Sequence, residues 1–553
     1  MRHTDAWTQG RGDKIEMPSR PCAAPLQRHH IALLLPLLLC LASLLVFARA
    51  GRTHTFGTYA TETDFYHLYA PDAARIASWR FPENPYQGPG YPAALALITP
   101  LTGDVFTSGK WLSIASAALA GFATFLLFER LFGYWTGIGA QLLVLAGEEF
   151  AVFAINATTD VFFLLLCLAC LVAFMSDRID LSARWRTALT AALASLAYLT
   201  RYNGLFLAAT FLIGITALNF FRVDRRERLR LVALFATVFL LVASPWLYAN
   251  YKHRGSPFYN TNYLNIATEY YRELADAQVN QDGTRPLEEK FHSLGGVLRY
   301  DPRRMIAHYP ENLFDQIQKT VTSNLVNRWV GWAAVIGIGL ALIERRSRPV
   351  ILALISGVIY LMLMALTHWE TRYFFYIMAL YAGFAVYAAG RPLELLRSRG
   401  WLKHPAFALV PVALVLTMWA LSVARTRDSL ARFLASHPAE VLRACEYFRD
   451  QQIRGARVMA RKPHVAFICG QEWVFFPVVK SLDELREQIR ENRVDYVLFS
   501  SVEAARRREV KELKNPAAAP VWLEPVWVSS DPPVVLYRAR LQSTDERRAR
   551  SGE

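Results

Sequence analysis

Apolar residues in this chain come in long blocks separated by short polar punctuation. Runs of roughly 15–22 residues recur, close to the ~20 that carry a helix across a bilayer. Eleven such runs lie near 31–50, 110–131, 134–147, 160–176, 187–200, 204–221, 231–249, 329–343, 349–366, 373–389 and 405–423. Several are short for a full crossing, which leaves room for tilt or partial insertion. A twelfth apolar piece, YPAALALITPLTG at 91–103, is too short to span and reads as re-entrant or interfacial. The pattern predicts a polytopic α-helical membrane protein.

The polar punctuation orients it. With the N-terminus inside, the inner short loops hold sixteen Lys and Arg residues and the outer short loops hold two, Arg201 and Arg372. That asymmetry places the N-terminus in the cytoplasm. Ala48-Arg49-Ala50 resembles a signal-peptidase site, but the long basic lead suits an uncleaved first helix better. Either reading puts residue 51 onward outside. The expected organisation is a basic cytoplasmic N-terminus (1–30), a transmembrane unit (31–424) with large outer loops at 51–109 and 250–328, and an extracytoplasmic domain at 425–553. In that last part RVMARKPHVAFICG, VDYVLFSS and PVVLYRARL read as strands. SLDELREQIREN reads as a helix entered through Ser481 and Glu484. Together they make a small α/β domain.

Composition supports the membrane class: 53% of residues are hydrophobic and only 19% charged. The net charge of +15 points to anionic lipids and phosphates. No reader motif accompanies it, so nucleic acid is excluded as a partner. Cys167 and Cys170 sit inside an apolar run and read as small core side chains, not a redox motif. A Cys445–Cys469 disulfide is left open by their place in an exported domain. The histidines show no metal-ligand spacing. Glu148 and Glu149 read as a solvated turn, Lys462-Pro463-His464 as a turn between strands, and RRRE at 506–509 as an exposed helix face. Asn156-Ala157-Thr158 matches a glycosylation pattern by chance.

The outward polar residues fall in one layer. Asp64 and Asp72 lie in the first loop, Asp160 ends NATTD, Arg201-Tyr202 opens a later turn, and Glu370-Thr371-Arg372-Tyr373 precedes the tenth run. Ionisable groups at a membrane edge are costly unless paired or used. One could be a snorkelling anchor; four loops each contributing one argue for a site.

These segments, in this order and on this side, resemble the polyprenyl-phosphate-sugar-dependent glycosyltransferases of the GT-C superfamily. That group includes the protein O-mannosyltransferases and the lipid A aminoarabinose transferases. TDFYHLYAPDAARI with GPGYP resembles the first loop and its Pro turn, and NATTD a later acidic helix start. LAYLTRYNGLFL, SPWLYANYKHRGSPFY and ETRYFFYIMAL resemble the Arg turn, the Pro-Trp-to-Asn helix exit and the Arg-Tyr helix start. The resemblance covers about residues 31–425 and implies a GT-C fold of about eleven spans. It also implies a polyprenyl-phosphate-linked sugar donor and a lipid, glycan or protein acceptor outside the cytoplasm. Transfer would invert the anomeric carbon, with Asp64 as general base. Arg201 and Arg372, helped by Tyr202 and Tyr373, would grip the departing phosphate, because Arg can bind it bidentately. Asp160 would orient the acceptor, hold an Arg or bind a metal, in that order. No cofactor is required; a divalent metal stays an option. Phe65 stands where many members carry a second acid, so Glu62 or Asp72 would have to supply one. The tail differs from the β-trefoil of eukaryotic protein mannosyltransferases, which favours a bacterial enzyme. Two other classes compete. A transporter or flippase would show inverted repeats and broken mid-membrane helices, and the chain has neither. A scaffold without activity would have no need of Asp64 and both arginines.

Overall fold

The computed structural model describes residues 25–177, 181–275, 285–344, 347–401 and 404–540. The basic N-terminus through residue 24 lies outside these, as do Arg178, Arg345, Arg346 and Lys403 of the inner-loop count. Eleven helices lie on the eleven apolar runs: Pro25–Ala50, Val105–Phe132, Tyr134–Leu145, Asp160–Met175, Ala183–Thr200, Leu205–Thr216, Arg225–Arg254, Arg328–Glu344, Arg348–Met364, Phe375–Ser398 and Leu409–Ala435. Among the described residues, five stretches of helix are long and apolar enough to cross a bilayer. The others contribute shorter apolar helices such as Asp160–Met175, which is buried among its neighbours. Phe375–Tyr387 is encased, whereas Leu34, Leu41 and Leu45 of the first helix are open, as lipid-facing side chains are.

The piece at 91–103 forms the helix Gly90–Thr102, with Leu97 and Leu101 exposed and Tyr91 and Leu95 buried. Its start explains the Gly-Pro-Gly sequence. A Cβ on Gly88 would collide with the carbonyl of Leu199, and one on Gly90 would sit 2.8 Å from Thr200 Oγ1. Only glycine lets the loop lie against the end of the Ala183–Thr200 helix, one residue before Arg201. Asp72 secures the same loop. The amides of Glu83 and Asn84 donate to its two oxygens at 2.8 and 3.1 Å.

The loop after Arg225–Arg254 packs back onto this one. Arg254 donates to the Glu83 carbonyl at 2.8 Å and lies over the Phe81 and Trp246 rings. The Thr261 amide donates to the Pro85 carbonyl at 3.1 Å. The Pro-Trp-to-Asn segment therefore acts as a buttress for residues 81–86.

Beyond the last long helix the chain builds a five-stranded mixed sheet. Its strands are β1 (Arg457–Ala460), β2 (Glu472–Phe475), β3 (Tyr496–Ser500), β4 (Leu523–Ser530) and β5 (Pro533–Ala539), in the order β2-β1-β3-β5-β4. β2 and β4 were not anticipated, and HVAFI is a short helix (His464–Ile468), not a strand. The helix Leu482–Glu491 starts as expected, with Ser481 accepting from the Glu484 amide. Its Glu484 side chain accepts from the Lys480 amide instead of closing on Ser481. Cys445 and Cys469 are disulfide-bonded, tying the helix Ala439–Asp450 to the end of His464–Ile468.

Two small readings change. Arg507 is fully buried and donates to the Phe476 carbonyl, so only part of RRRE is an exposed face. Glu148 accepts from Ser429 Oγ at 2.6 Å and is not a free solvated turn. Asn156 is completely buried, as a chance sequon should be.

Candidate active site

Five of the outward loops meet around one cavity of about 550 Å³. Asp64, Asp160, Arg201, Glu370, Arg372 and Tyr373 all line it. Asp64 has helical backbone at the entry to a π-helical segment, Phe65–Tyr69. Phe65, Tyr66 and Tyr69 are buried beneath it and hold the backbone. Among the described residues its carboxylate has no hydrogen-bonding or ion-pair partner. Burial raises its pKa above the usual carboxylate value; Glu370 adds to this, and Arg372, His67 and Lys462 offset part of it. An unpaired carboxylate held ready in a cleft is the arrangement a general base needs.

Asp160 is different. It is buried in an ion pair with Arg201, at the N-terminus of its helix. Its role in the geometry is to hold that Arg. The Arg201 guanidinium also lies 4.8 Å from the centre of the Tyr373 ring. Arg372 lies 5.3 Å from the centre of the same ring. Arg372 Nε donates to Glu370 Oε2 at 2.6 Å. Burial alone would raise Glu370, but His368, 3.6 Å away, and the hydrogen-bonded Arg372 guanidinium hold it at about 2. Glu370 is therefore an anion that orients Arg372, whose two terminal nitrogens make no hydrogen bond among the described residues.

A second cavity of about 640 Å³ adjoins the first. Tyr86, Gln87, Arg201, Asn265 and Tyr373 line both. Its further walls are more apolar, with Leu205, Phe258, Ile266, Leu363 and Leu366, and Tyr202 belongs here. Tyr202 donates to the Gln87 carbonyl at 3.3 Å. Asp72 lines neither cavity and shapes the loop instead.

Several residues were not anticipated. His67, Tyr86 and Asn265 line the main cavity, and so does His368. Lys462, from the tail, donates to Thr63 Oγ1 at 2.9 Å behind the first loop. Among the described residues no three His, Cys, Asp or Glu side chains come together as a metal site requires. Asp160, given to Arg201, fits that role poorly.

Comparison with known proteins gives a consistent picture. Residues 85–248 match the family model for dolichyl-phosphate-mannose-protein mannosyltransferase. No curated protein sequence matches the chain. Among solved structures, the Archaeoglobus fulgidus oligosaccharyltransferase with Zn and sulfate superposes with TM-score 0.55 at 13% identity. It covers 84% of this chain and 68% of that one. The same organism's AglB, in complex with an inhibitory peptide and a dolichol-phosphate, also gives 0.55 at 13%, covering 85% and 70%. ArnT from Cupriavidus metallidurans bound to undecaprenyl phosphate gives 0.52 at 14%, covering 94% of this chain and 99% of that one. With the mannosyltransferase match in its first half and these superpositions over nearly its whole length, the chain is a membrane protein with the GT-C glycosyltransferase fold.

Proposed function

We propose that the chain transfers a sugar from a polyprenyl-phosphate donor to a hydroxyl acceptor on the outer side of the membrane. One observation carries the reading: an unpartnered carboxylate, Asp64, shares a cavity with a pre-oriented guanidinium, Arg372, and that cavity joins a more apolar one. The donor's phosphate sits at Arg372 and Arg201, and the first isoprene units follow the apolar cavity. The acceptor O–H gives its proton to Asp64 as its oxygen bonds to the anomeric carbon. The bond from that carbon to the phosphate oxygen breaks on the opposite face, so configuration inverts. The leaving polyprenyl phosphate takes the electron pair, and Arg372 stabilises the added charge. Glu370 keeps Arg372 aimed; Asp160 does the same for Arg201. The lipids bound in the similar structures, a dolichol-phosphate and undecaprenyl phosphate, support this donor class.

The test is Asp64→Asn in purified protein with a polyprenyl-phosphate sugar. It keeps shape and removes basicity, so turnover should fall about a hundredfold or more while donor binding survives. Transfer at the parent rate would remove Asp64 as the base.

A further inference from the structure

Glu62 is one of the two acids that could replace the one missing at Phe65. It is completely buried and does not line the main cavity, so it does not meet substrate. Its contacts run between the two arms of the site instead. Oε2 accepts from the Thr58 amide at 2.8 Å and Oε1 from the Ala157 amide at 2.9 Å. Beside it, Asn156 Nδ2 donates to Thr61 Oγ1 at 2.9 Å. Asp64 lies just beyond Glu62 in the chain, and Asp160 just beyond Ala157. Glu62 therefore ties the stretch of loop bearing Asp64 to the helix start whose Asp160 holds Arg201.

This acid ends a chain of imidazoles whose protons can be counted. His54 Nε2 lies 2.9 Å from Glu62 Oε1, and His54 Nδ1 lies 2.9 Å from His437 Nε2. His437 Nδ1 lies 2.7 Å from the Leu434 carbonyl. Every ring nitrogen of both histidines is used, so turning either ring over would only break contacts. Each of the three links needs one hydrogen, and two neutral imidazoles bring two. The set therefore holds one proton more. Glu62 already accepts two amide hydrogens, as an anion does, so that proton sits on the histidine pair. The result is an imidazolium–carboxylate pair across the seam between first loop and tail.

We propose that Glu62 is a positioning residue for Asp64, fixed by a third proton that His54 and His437 share across the seam. The positioning role rests on the transferase reading; the shared proton stands by itself. Docking of the tail takes this proton up, because free imidazoles are mostly neutral above about pH 7. Raising the pH from there loosens the seam, by at most about tenfold per pH unit for one linked proton. The surrounding groups act otherwise. Burial lowers Lys462 to about 8 and His464 to about 4, so both lose protons on docking and tighten the seam as pH rises. Burial lowers His67 in the same direction. Tyr59, Tyr66 and Tyr91 are raised by burial above the ordinary phenol value and stay protonated. Glu440 is hydrogen-bonded to Tyr59, and Asp104 caps the Thr107 amide. Lys110 donates to the carbonyls of Gly51 and His54 at 3.0 and 2.8 Å. Asp64, itself raised, shares the predicted sign and needs a control.

The test is hydrogen exchange, read by peptide mass spectrometry, on full-length protein in phosphatidylcholine nanodiscs at about pH 7 and about pH 8. Protection is corrected for the ordinary base catalysis of amide exchange. It is compared between peptides covering 55–64 and 154–159 and the strands β3 and β5. Protection of the two loop peptides should fall by about fivefold or more over that interval while the strands hold. A level or rising profile in the parent overturns the shared proton. The fall must persist in Asp64→Asn. It must vanish in His437→Phe, which keeps an aromatic ring against Phe56 and Phe433 and leaves one link that neutral His54 can fill. A fall that survives His437→Phe belongs to another group and overturns the proposal. Glu62→Gln tests the positioning role. Its amide nitrogen cannot accept, so one backbone tie is lost. With a polyprenyl-phosphate sugar, kcat should drop by about tenfold or more while the donor KM stays within about threefold. A parent-like kcat overturns that role. In the parent, kcat should fall with loop protection as pH rises, and this link should be absent in His437→Phe. Transfer at the parent rate in Asp64→Asn sinks the base assignment alone; a level protection profile in the parent sinks the shared proton alone.

Discussion

Arg201 and Arg372 looked alike in sequence, as two arginines on the disfavoured side of the membrane. The structure gives them different surroundings and therefore different expected mutant behaviour. Arg201 neutralises the buried Asp160. Arg201→Ala strands that carboxylate, so stability should drop by roughly 3–5 kcal/mol in a thermal melt. Arg201→Met/Asp160→Leu should recover most of the loss. Arg372 pairs with Glu370 at the cavity edge and keeps free donors. Arg372→Ala should leave the fold intact and weaken donor binding by roughly ten- to a hundredfold, the worth of a charged hydrogen bond of ~1.5–3 kcal/mol. Asp64 supplies a pH test. Its raised pKa means that protonation persists above the ordinary carboxylate range. The acid limb of the kcat/KM profile should lie above that range and disappear in Asp64→Asn. By linkage the raised value lowers stability as pH climbs from the unfolded to the folded pKa, so Asp64→Asn should melt no lower than the parent at neutral pH. Ionisable groups are rare at a membrane edge, so these residues stood out in the sequence. Lys462 did not, because its partner Thr63 is 399 positions away and nothing local marks the contact.

At the scale of elements, hydrophobic length was the strong signal. All eleven helices fall where apolar runs predicted them, because a bilayer allows little else. The tail was harder to read. β2 and β4 are short or half-exposed, and β4 alternates without a clear apolar face, so neither rises above loop composition. HVAFI has strand-like residues, but its place between the parallel strands β1 and β2 requires a crossover, and it forms a helix. The disulfide at 445 and 469 closes a loop of 24 residues. Chain-entropy arguments give such a bridge about 3 kcal/mol, so Cys445→Ser/Cys469→Ser should lower the melting temperature of the tail without moving the membrane helices. Circular dichroism with separate near- and far-ultraviolet readings would show that split.

For the whole molecule, orientation is the first thing to measure. Single cysteines at Ser347 and Ser530, in a background without native cysteines, should differ toward a membrane-impermeant reagent on intact cells with any outer membrane permeabilised. Only Ser530→Cys should label; labelling of Ser347→Cys alone or of both would reverse or erase the 16-to-2 argument, and the placement of the cavity with it. The seam between tail and membrane half has a further implication. His54, completely buried, contacts His437 Nε2 at 2.9 Å through one ring nitrogen and Glu62 Oε1 at 2.9 Å through the other. Glu62 in turn accepts from the Thr58 and Ala157 amides. His464 bonds the Thr58 carbonyl at 2.9 Å. The first-loop wall of the main cavity is thus backed by a stretch of chain from beyond the whole membrane half. Such a protein cannot trade its tail like a cassette. A chimera carrying the tail of a relative would bring residues unmatched to His54 and Thr58, and the segment bearing Asp64 would lose its backing before any acceptor arrived. In lineages that change acceptor, the first loop and the tail should change as a pair.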